Sequence, residues 1–245
     1  EIFKGNPACV MPLDNWLPDD TLLKIAKENN VSETAYFIKK EDHFYLRWFT
    51  PEIEMDLCGH ATLATAYCLR NHLNYKKDSV KFDSMSGELV VKFNVDYMQM
   101  DFPHRKPVKS DLPQNILDSL SIKPIEILKS RDYILIYDNE DQIKNIKINK
   151  ELFDKKNIDP GGVVITSVGT KSDFVSRYFI PQCSFFEDPV TGSTHCSLVP
   201  YWSEKLNKKK LKSIQLSERG GEMICEDVLN RVLINGKAVT YSEGH

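Results

Sequence analysis

Two short segments, each placing a glycine just before an apolar, helix-like run, constrain this chain more than any other feature. They are Cys58-Gly-His-Ala-Thr62 and its partial echo Thr191-Gly-Ser-Thr-His195. The N-terminus of a helix leaves backbone N–H groups unpaired and carries partial positive charge, and glycine lets a ligand come close to the backbone. Two such helix starts facing one cleft would form a cradle for an anion such as a carboxylate.

The order of the predicted elements repeats in outline along the chain. Each half contains many runs of β-forming residues and one main helix, which begins at one of the two glycine-centred segments. The stretch 103–112 contains two prolines and many charges, so we predict one domain over 1–107 and a second over 108–245. The sequence therefore predicts an α+β fold of two similar domains, each a mostly antiparallel, barrel-like sheet wrapped around a central helix.

Two local signals add detail to this outline. Pro18-Asp-Asp-Thr21 opens a helix that we expect Asp19 or Asp20 to cap, because a short carboxylate side chain can accept from the free N–H groups of the first turn. Asn235-Gly236 predicts a type I′ hairpin turn that joins a strand over 232–234 to another strand over 238–240.

Composition and charge narrow the functional class. The chain has 245 residues, a net charge of −3, 41% hydrophobic and 27% charged residues, which is ordinary for a soluble globular protein. Its dense basic run, Lys208–Lys210, is typical of a solvated turn, so we expect no nucleic-acid partner. Without a signal peptide or a long apolar run we expect no membrane partner, and six cysteines without a CxxC pair indicate a reduced, cytoplasmic protein.

Glu33 is the candidate proton-transfer group. It stands in Val31-Ser-Glu-Thr-Ala35, at the start of an apolar strand. A carboxylate at such a position is usually a solvated residue. A carboxylate that a cleft partly withdraws from water is instead suited to taking and returning a proton, so we treat Glu33 as a candidate general acid/base.

His60 and Asp188 are candidates to assist that proton transfer. His60 stands at the first helix start, where an imidazole can cap or pack, or can donate to a substrate oxygen and pass a proton. Asp188 precedes a proline, and Asp-Pro commonly opens a turn; its alternative role is to orient a substrate amine or hydroxyl, or to hold His60 in one tautomer. The N–H and hydroxyl donors for a substrate carboxylate would come from Gly59, Gly192 and Ser193.

Cys58 carries an alternative chemistry. A thiol just before a helix N-terminus is expected to have a lowered pKa, and two cysteines across a cleft can carry out a two-base epimerisation. Cys196 lies inside the second helix, however, and the mouth of that helix offers Thr191 instead. A two-thiol pair therefore has no obvious second member, and packing is the leading interpretation of Cys58.

Cofactor motifs are not evident in the sequence. It contains no glycine-rich phosphate loop, no GxSxG nucleophile elbow and no cluster with the spacing of metal ligands. We therefore expect no cofactor and no metal, and proton transfer by side chains becomes the leading enzyme class.

A set of short motifs runs along nearly the whole chain. In order they are Gly5-Asn-Pro-Ala8, Ser32-Glu-Thr-Ala35, Phe49-Thr-Pro51, Leu57-Cys-Gly-His-Ala-Thr62, Arg131-Asp132, Glu187-Asp-Pro-Val-Thr-Gly-Ser193, His195-Cys196, Pro200-Tyr-Trp202, and Gln215 through Ser217-Glu-Arg-Gly-Gly221. In their identity and order they resemble the phenazine-biosynthesis PhzF-like family, which has the diaminopimelate-epimerase fold. So many motifs in one order make the resemblance highly specific.

The resemblance implies two similar domains with the site between them, and a cofactor-free isomerase that is usually a homodimer. Glu33 matches the family's catalytic acid/base, and the substrate pocket is matched by Gly59, His60, Asp188 and Ser193. Related epimerases use two cysteines, whereas Thr191 stands here where the second would be, which argues against a two-thiol racemase.

The start of the chain departs from the family pattern. A strand normally precedes the Gly5-Asn-Pro motif, whereas the residues before it here are Glu1 to Lys4. If that strand is absent, we expect the first domain to have a sheet edge to cover.

The sequence therefore predicts a cofactor-independent isomerase that moves a proton within a small carboxylate-bearing substrate at the inter-domain cleft. Glu33 would take and return the proton, while His60 and Asp188 would position the substrate and assist. Two alternatives remain open. One is a cysteine-dependent racemase or epimerase that uses Cys58, and the other is a non-catalytic module that binds a small molecule or a protein.

Overall fold

The chain folds into two units. The computed structural model describes residues 1–158, 161–183 and 185–244. The first unit comprises Glu1–Phe102 together with the C-terminal stretch from Leu233, and the second comprises Pro103–Val232. The division lies before Pro103, whereas the sequence analysis placed it after residue 107, and the last residues return to the first unit.

The helices and strands confirm a mixed α+β fold. Up to the division they are β1 (Ala8–Leu13), α1 (Asp19–Asn29), β2 (Glu33–Lys39), β3 (Phe44–Phe49), β4 (Glu54–Met55), α2 (Gly59–Asn71), β5 (Ser79–Ser84), β6 (Gly87–Phe93) and β7 (Met98–Pro103). The later elements are β8 (Val108–Lys109), α3 (Gln114–Ser119), β9 (Glu126–Lys129), β10 (Tyr133–Ile136), α4 (Glu140–Asn145), α5 (Lys150–Phe153), β11 (Val163–Val168), β12 (Phe174–Phe179), β13 (Glu187–Asp188), α6 (His195–Leu206), β14 (Lys210–Gln215), β15 (Gly221–Val228) and β16 (Arg231–Gly236).

One pattern of strand pairing occurs in both units. In the first unit β1 is parallel to β2, β2 is antiparallel to β3, and β3 is parallel to β5. In the second unit β10 is parallel to β11, β11 is antiparallel to β12, and β12 is parallel to β14. The main helices occupy the same place, because α2 follows β4 as α6 follows β13. The repeat predicted from the sequence is therefore confirmed at the level of topology.

Each unit also contains its own ion pair just before its main helix. Arg47 on β3 holds Glu54 on β4 through two nitrogen–oxygen contacts of 2.6 and 2.7 Å. Arg177 on β12 holds Glu187 on β13 in the same way, with both contacts at 2.7 Å. A bidentate guanidinium–carboxylate pair fixes the relative orientation of its two strands. Each short strand is thus held at the point where the chain turns towards its main helix.

The strand β2 lies between two helices in the first unit. Its five central residues are buried, as expected for an apolar strand that is covered on both faces. The helix α1 packs on one face, where Leu22 and Ala26 join Tyr36 and Phe49 in a buried cluster. The helix α2 contacts β1 and β2 in the same unit. The start of β2 is therefore held close to the start of α2.

The cap predicted for α1 is wrong. The N-cap residue is Pro18, no side chain caps the helix, and Asp19 and Asp20 lie within its first turn. The carboxylate of Asp19 instead accepts from Nη2 of Arg47 at 2.9 Å. A long-range ion pair thus competes with the local cap, while both carboxylates still favour the positive end of the helix.

The hairpin predicted at Asn235-Gly236 is also wrong. The strand β16 runs up to Gly236, no strand occupies 238–240, and the chain turns instead at Leu229 and Asn230 before β16. A Cβ atom on Gly236 would lie 2.9 Å from Cδ2 of Leu63 on α2. The glycine is therefore needed for close packing of the last strand against the helix, and not for a tight turn.

Candidate active site

The side chain of Glu33 points towards the start of α2, because successive side chains along β2 point to opposite faces of the sheet. Glu33 is the first residue of this strand, and the hydroxyl of Tyr36 donates to the carbonyl of Leu22 in α1 at 2.8 Å. Side chains alternate along a strand, so Glu33 faces away from α1 and towards the other helix. The first two residues of that helix are Gly59 and His60.

Glu33 and His60 form the centre of the candidate site. Oε2 of Glu33 lies 3.0 Å from Nε2 of His60, and each side chain is 13% exposed. The two atoms lack the alignment of a hydrogen bond, and neither makes another hydrogen bond to the part of the chain that the structure describes. A carboxylate and an imidazole are thus held at charge-pair distance with lone-pair capacity left over for a ligand.

Asn6 contacts the other nitrogen of the same ring. Its Nδ2 lies 3.2 Å from Nδ1 of His60, and in this amide orientation Nδ1 accepts the hydrogen bond only when it carries no proton. Rotating the amide by half a turn would present its oxygen and accommodate the doubly protonated ring. Gly5, which precedes Asn6, has a φ of 69°, in the left-handed region that favours glycine. The sequence analysis assigned no role to Asn6, although the Gly5-Asn-Pro turn was visible.

The register of the first two strands explains why Asn6 reaches the site. Ala8 on β1 pairs with Glu33 on β2 in the parallel ladder. The turn just before Ala8 therefore lies next to Glu33, at the N-terminal end of the two strands. A contact between residues 6 and 60 follows from this pairing, because α2 packs on the same two strands.

Cys58 completes the cluster around His60. Its Sγ lies 3.6 Å from Nδ1 of His60, and the residue is 4% exposed. Burial, with a further contribution from the Glu33 carboxylate, raises the pKa of the Cys58 thiol, although His60 acts in the opposite direction. The expectation of a lowered pKa at this helix start is therefore wrong, because loss of water outweighs the helix dipole.

The ionisation of His60 is set by opposing effects. Burial disfavours the charged ring, but the acidic groups of Cys58 and Glu33 beside it outweigh burial and raise the pKa of His60 well above its ordinary value. The site therefore places a cationic ring 3.0 Å from the Glu33 carboxyl group.

The same three side chains could also hold a metal ion. Glu33, Cys58 and His60 each offer one ligand atom, and these atoms lie within 4.8 Å of one another. This cluster was not predicted from the sequence, because its members come from β2 and from the start of α2.

Asp188 belongs to a separate hydrogen-bonded loop in the second unit. The hydroxyl of Thr191 donates to the Asp188 carboxylate. Gln215 on β14 closes the loop: its Oε1 accepts from the backbone N–H of Thr191, and its Nε2 donates to the carbonyl of Asp188, both at 2.8 Å. The loop is therefore held by a side chain that the sequence analysis did not single out for this purpose.

The two main helices begin at different distances from their glycines. α6 begins at His195, and Gly192 and Ser193 lie in a turn before it, whereas Gly59 is itself the first residue of α2. At both helix starts, nevertheless, a side chain donates a hydrogen bond to the backbone carbonyl four residues earlier. Thr62 on α2 donates its hydroxyl to the carbonyl of Cys58 at 2.5 Å, and Nδ1 of His195 donates to the carbonyl of Thr191 at 3.0 Å.

His195 is a buried structural residue. Its Nε2 accepts from the hydroxyl of Ser213 at 3.0 Å while Nδ1 donates to the carbonyl of Thr191, so the neutral ring uses both nitrogens. Burial lowers the pKa of His195 to about 4. The ring therefore stays neutral and holds the loop that carries Asp188 and Thr191.

The candidate residues thus fall into two sets. Glu33, Gly59 and His60 meet in the first unit, and Cys58 and Asn6 join them. Asp188, Gly192 and Ser193 belong to the second unit, where Asp188 is bonded to Thr191.

The chemistry available to the first set is proton transfer. A shielded carboxylate with a cation beside it can take a proton from carbon and return it, and the helix start can hold an anionic group nearby. These are the operations of isomerases and epimerases, and we place the protein in that class. The chain belongs to the PhzC-PhzF family, whose model, described as phenazine biosynthesis-like protein, matches residues 1–244.

Relatives along the whole chain agree with this assignment. A Pseudomonas aeruginosa protein named as an uncharacterized isomerase is 43% identical over 242 residues, which cover 99% of this chain and 93% of the relative. The crystal structure of a phenazine biosynthesis protein of the PhzF family from Enterococcus faecalis has a TM-score of 0.91 and 42% identity, covering 99% of this chain and 93% of that one.

A structure with lower sequence identity has a similar fold. A predicted epimerase from Pseudomonas aeruginosa has a TM-score of 0.73 at 18% identity, covering 95% of this chain and 90% of that one. The expected epimerase-like fold is therefore confirmed. None of the helices in the described ranges has the length and apolarity that crossing a membrane requires.

Proposed function

We propose that this protein is an isomerase that moves a proton within a small, carboxylate-bearing substrate, with Glu33 as the acid/base group. The observation that supports this most directly is the 3.0 Å approach of Oε2 of Glu33 to Nε2 of His60. The reaction class is proposed from relatives that are named isomerases, and the proton carrier is proposed from the geometry.

The proposed step begins at an acidic C–H bond of the substrate. Glu33 takes the proton, and the electron pair of that bond moves into the adjacent π system. The carboxyl group then returns the proton to another carbon, so atoms and electrons balance without an oxidant, a reductant or a cofactor. His60 keeps Glu33 oriented between the two transfers.

The start of α2 supplies the proposed anchor for the substrate carboxylate. The backbone N–H groups of Gly59 and His60 belong to the first turn, where no intrahelical carbonyl is available to accept them. Partial positive charge at the same end favours an anion. A carboxylate bound there lies next to Glu33, which is the placement that proton transfer from an adjacent carbon requires.

Further polar contacts to the substrate are proposed from the family resemblance. Asp188 would orient a substrate amine or hydroxyl, and the hydrogen bond from Thr191 holds its carboxylate in one orientation. Gly192 and Ser193 would donate an N–H and a hydroxyl to the substrate carboxylate. Replacing Asp188 with Asn keeps the shape and removes the charge, so it tests this role separately from that of Glu33.

A cysteine-dependent racemase is the second candidate. Cys58 stands beside His60, which supports the alternative. Burial raises the pKa of its thiol, and Thr191 stands at the corresponding point of the second motif, so a second thiol base is not supplied there. A non-catalytic binding module is the remaining alternative, and it predicts a tight ligand that never exchanges a proton.

The test follows deuterium and product formation together. The protein is incubated in D₂O with a panel of small amino, hydroxy and aromatic-precursor carboxylates. Mass spectrometry detects deuterium uptake, and proton NMR detects conversion when the proton is returned internally. We expect at least one compound to react with the wild-type protein and not with Glu33→Gln.

Two matched variants complete the design. Glu41→Gln removes a carboxylate at the exposed turn after β2 and should react like the wild type. Reaction that survives Glu33→Gln and disappears in Cys58→Ser would move the assignment to the thiol. Binding of a compound without conversion or uptake would favour the binding module.

The assembly state is a separate proposal. We propose a homodimer, as the family resemblance implies. Sedimentation equilibrium tests it directly, and a single species of 28.2 kDa would contradict it.

A further inference from the structure

The cluster of Glu33, Cys58 and His60 has a ligand set that acid/base catalysis alone does not require. It combines a carboxylate, a thiol and an imidazole, the three side-chain types that bind Zn²⁺ in proteins. All three residues are at most 13% exposed, so an ion bound among them would exchange most of its water for protein ligands. Within the ranges that the structure describes, this is the group of such residues whose ligand atoms converge.

The ligand atoms lie near one another, at a spacing somewhat wider than that around a tetrahedral zinc ion. With bonds of about 2.3 Å to sulfur and about 2.0 Å to nitrogen and oxygen, the ligand atoms of such an ion lie roughly 3.3–3.6 Å apart. Sγ of Cys58 lies 3.6 Å from Nδ1 of His60, and Nε2 of the same ring lies 3.0 Å from Oε2 of Glu33. The two short approaches are thus to different nitrogens of the ring, and one ligand atom from each residue lies within 4.8 Å of the other two, so binding one ion requires these atoms to move closer around one ring nitrogen.

We propose that Glu33, Cys58 and His60 bind Zn²⁺ reversibly, and that the bound ion inhibits the enzyme. Binding releases the proton of the Cys58 thiol and one proton of the charged His60 ring to solvent, and leaves one coordination position for water or a substrate carboxylate. A carboxylate lone pair that is bound to the ion cannot accept a proton from carbon. The inhibitory part of the proposal rests on the proposed role of Glu33, whereas the binding part does not.

The ligand types predict which ions compete. Mg²⁺ and Ca²⁺ prefer sites made entirely of oxygen atoms, so we expect neither to bind here. Zn²⁺ and Co²⁺ accept mixed sulfur, nitrogen and oxygen ligands. Asn6 lies 3.2 Å from Nδ1 of His60 and, with its oxygen turned to the ring, would fix the imidazole when Nε2 holds the ion.

The experiment is a Co²⁺ titration of the reduced, chelator-treated full chain, which needs no substrate. Thiolate ligation produces a sulfur-to-cobalt charge-transfer band in the near ultraviolet. We expect a saturable band with one equivalent of Co²⁺, abolished by one equivalent of Zn²⁺ and unchanged by millimolar Mg²⁺. The band should be lost in Cys58→Ser and kept in Cys68→Ser, which removes a half-buried thiol further along the same helix.

The outcomes separate this proposal from the proposed function. Absence of a saturable band in the wild type, or a band that survives Cys58→Ser, overturns the metal site and leaves the deuterium result for Glu33 unaffected. A Cys58-dependent band in a protein without proton-transfer activity supports the site and contradicts the function. When both hold, Zn²⁺ should abolish turnover and excess chelator should restore it; inhibition that EDTA fails to reverse overturns the inhibitory role.

Discussion

Nε2 of His60 lies 3.0 Å from Oε2 of Glu33, although the two residues come from the first turn of a helix and the first position of a strand. Each of the two side chains is 13% exposed, so most of its surface is covered by protein. This relationship makes the role of each group separable by substitution.

Replacing Glu33 with Gln should lower turnover by about 10²–10⁴-fold, the contribution typical of a positioned acid/base group. The amide keeps the shape of the side chain but cannot take a proton from carbon. Calorimetry should show substrate affinity close to that of the wild type, because the proposed carboxylate anchor is the backbone of α2. Turnover near the wild-type level would sink the assignment of Glu33.

Replacing Asn6 with Ala should lower kcat by up to about 100-fold with little change in KM. Asn6 contacts Nδ1 of His60, so its loss lets the ring turn away from Glu33 without removing any proposed substrate contact. Steady-state kinetics measure this split. The Glu41→Gln variant serves as the control, and an Asn6→Ala variant with unchanged kcat would show that the ring needs no support from Asn6.

Acid should destabilise the second unit through His195. Its pKa is about 4 in the folded chain against 6.5 for the exposed ring, so the unfolded state binds more protons between these values. The contribution to unfolding free energy is fully present above pH 6.5 and is lost as the pH falls towards 4. Its full size is roughly 3 kcal/mol.

Urea unfolding at a series of pH values measures this loss. The His195→Gln variant should be less stable at pH 7 but should lose less stability on acidification. The His43→Asn variant, which removes a side chain on the surface of the first unit, should retain the acid-dependent loss. Equal acid sensitivity in wild type and His195→Gln would contradict the prediction.

Replacing Gly221 with Ala should cost about 1–3 kcal/mol of unfolding free energy. A Cβ atom there would lie 2.4 Å from Cγ2 and 3.0 Å from Cγ1 of Val190, a stiff branched side chain beside Thr191. Thermal denaturation measures the cost. The double variant with Val190→Ala should recover part of it, and Gly244→Ala, which meets nothing within 4 Å, should be neutral.

The main helices were predictable because their signals are local. The sequence predicted one main helix beginning at each glycine-centred segment, 58–62 and 191–195, and the structure has α2 as Gly59–Asn71 and α6 as His195–Leu206. The helices α4 and α5 were missed although Asn139 and Asn149 cap them. These helices have six and four residues, so they are too short for an apolar period to show.

Signals that depend on partners far along the chain were misjudged. Asn235-Gly236 has the residues of a tight turn, but close packing of Gly236 against Leu63 gives the glycine another use. Asp19 has the side chain of a cap, but Arg47 binds its carboxylate. In each case the competing contact joins residues far apart in the sequence, and a local sequence pattern does not show that they meet in the fold.

The sequence by itself determined the repeated α+β order, the two helix starts and the family motifs, because these depend on residue type and spacing within short stretches. The tertiary structure decided the membership of the site. It joined Asn6 to His60, aligned Glu33 with the start of α2, and buried Cys58 deeply enough to raise the pKa of its thiol. Strand register and burial arise from packing between distant segments, so they set distances and ionisation that no short motif contains.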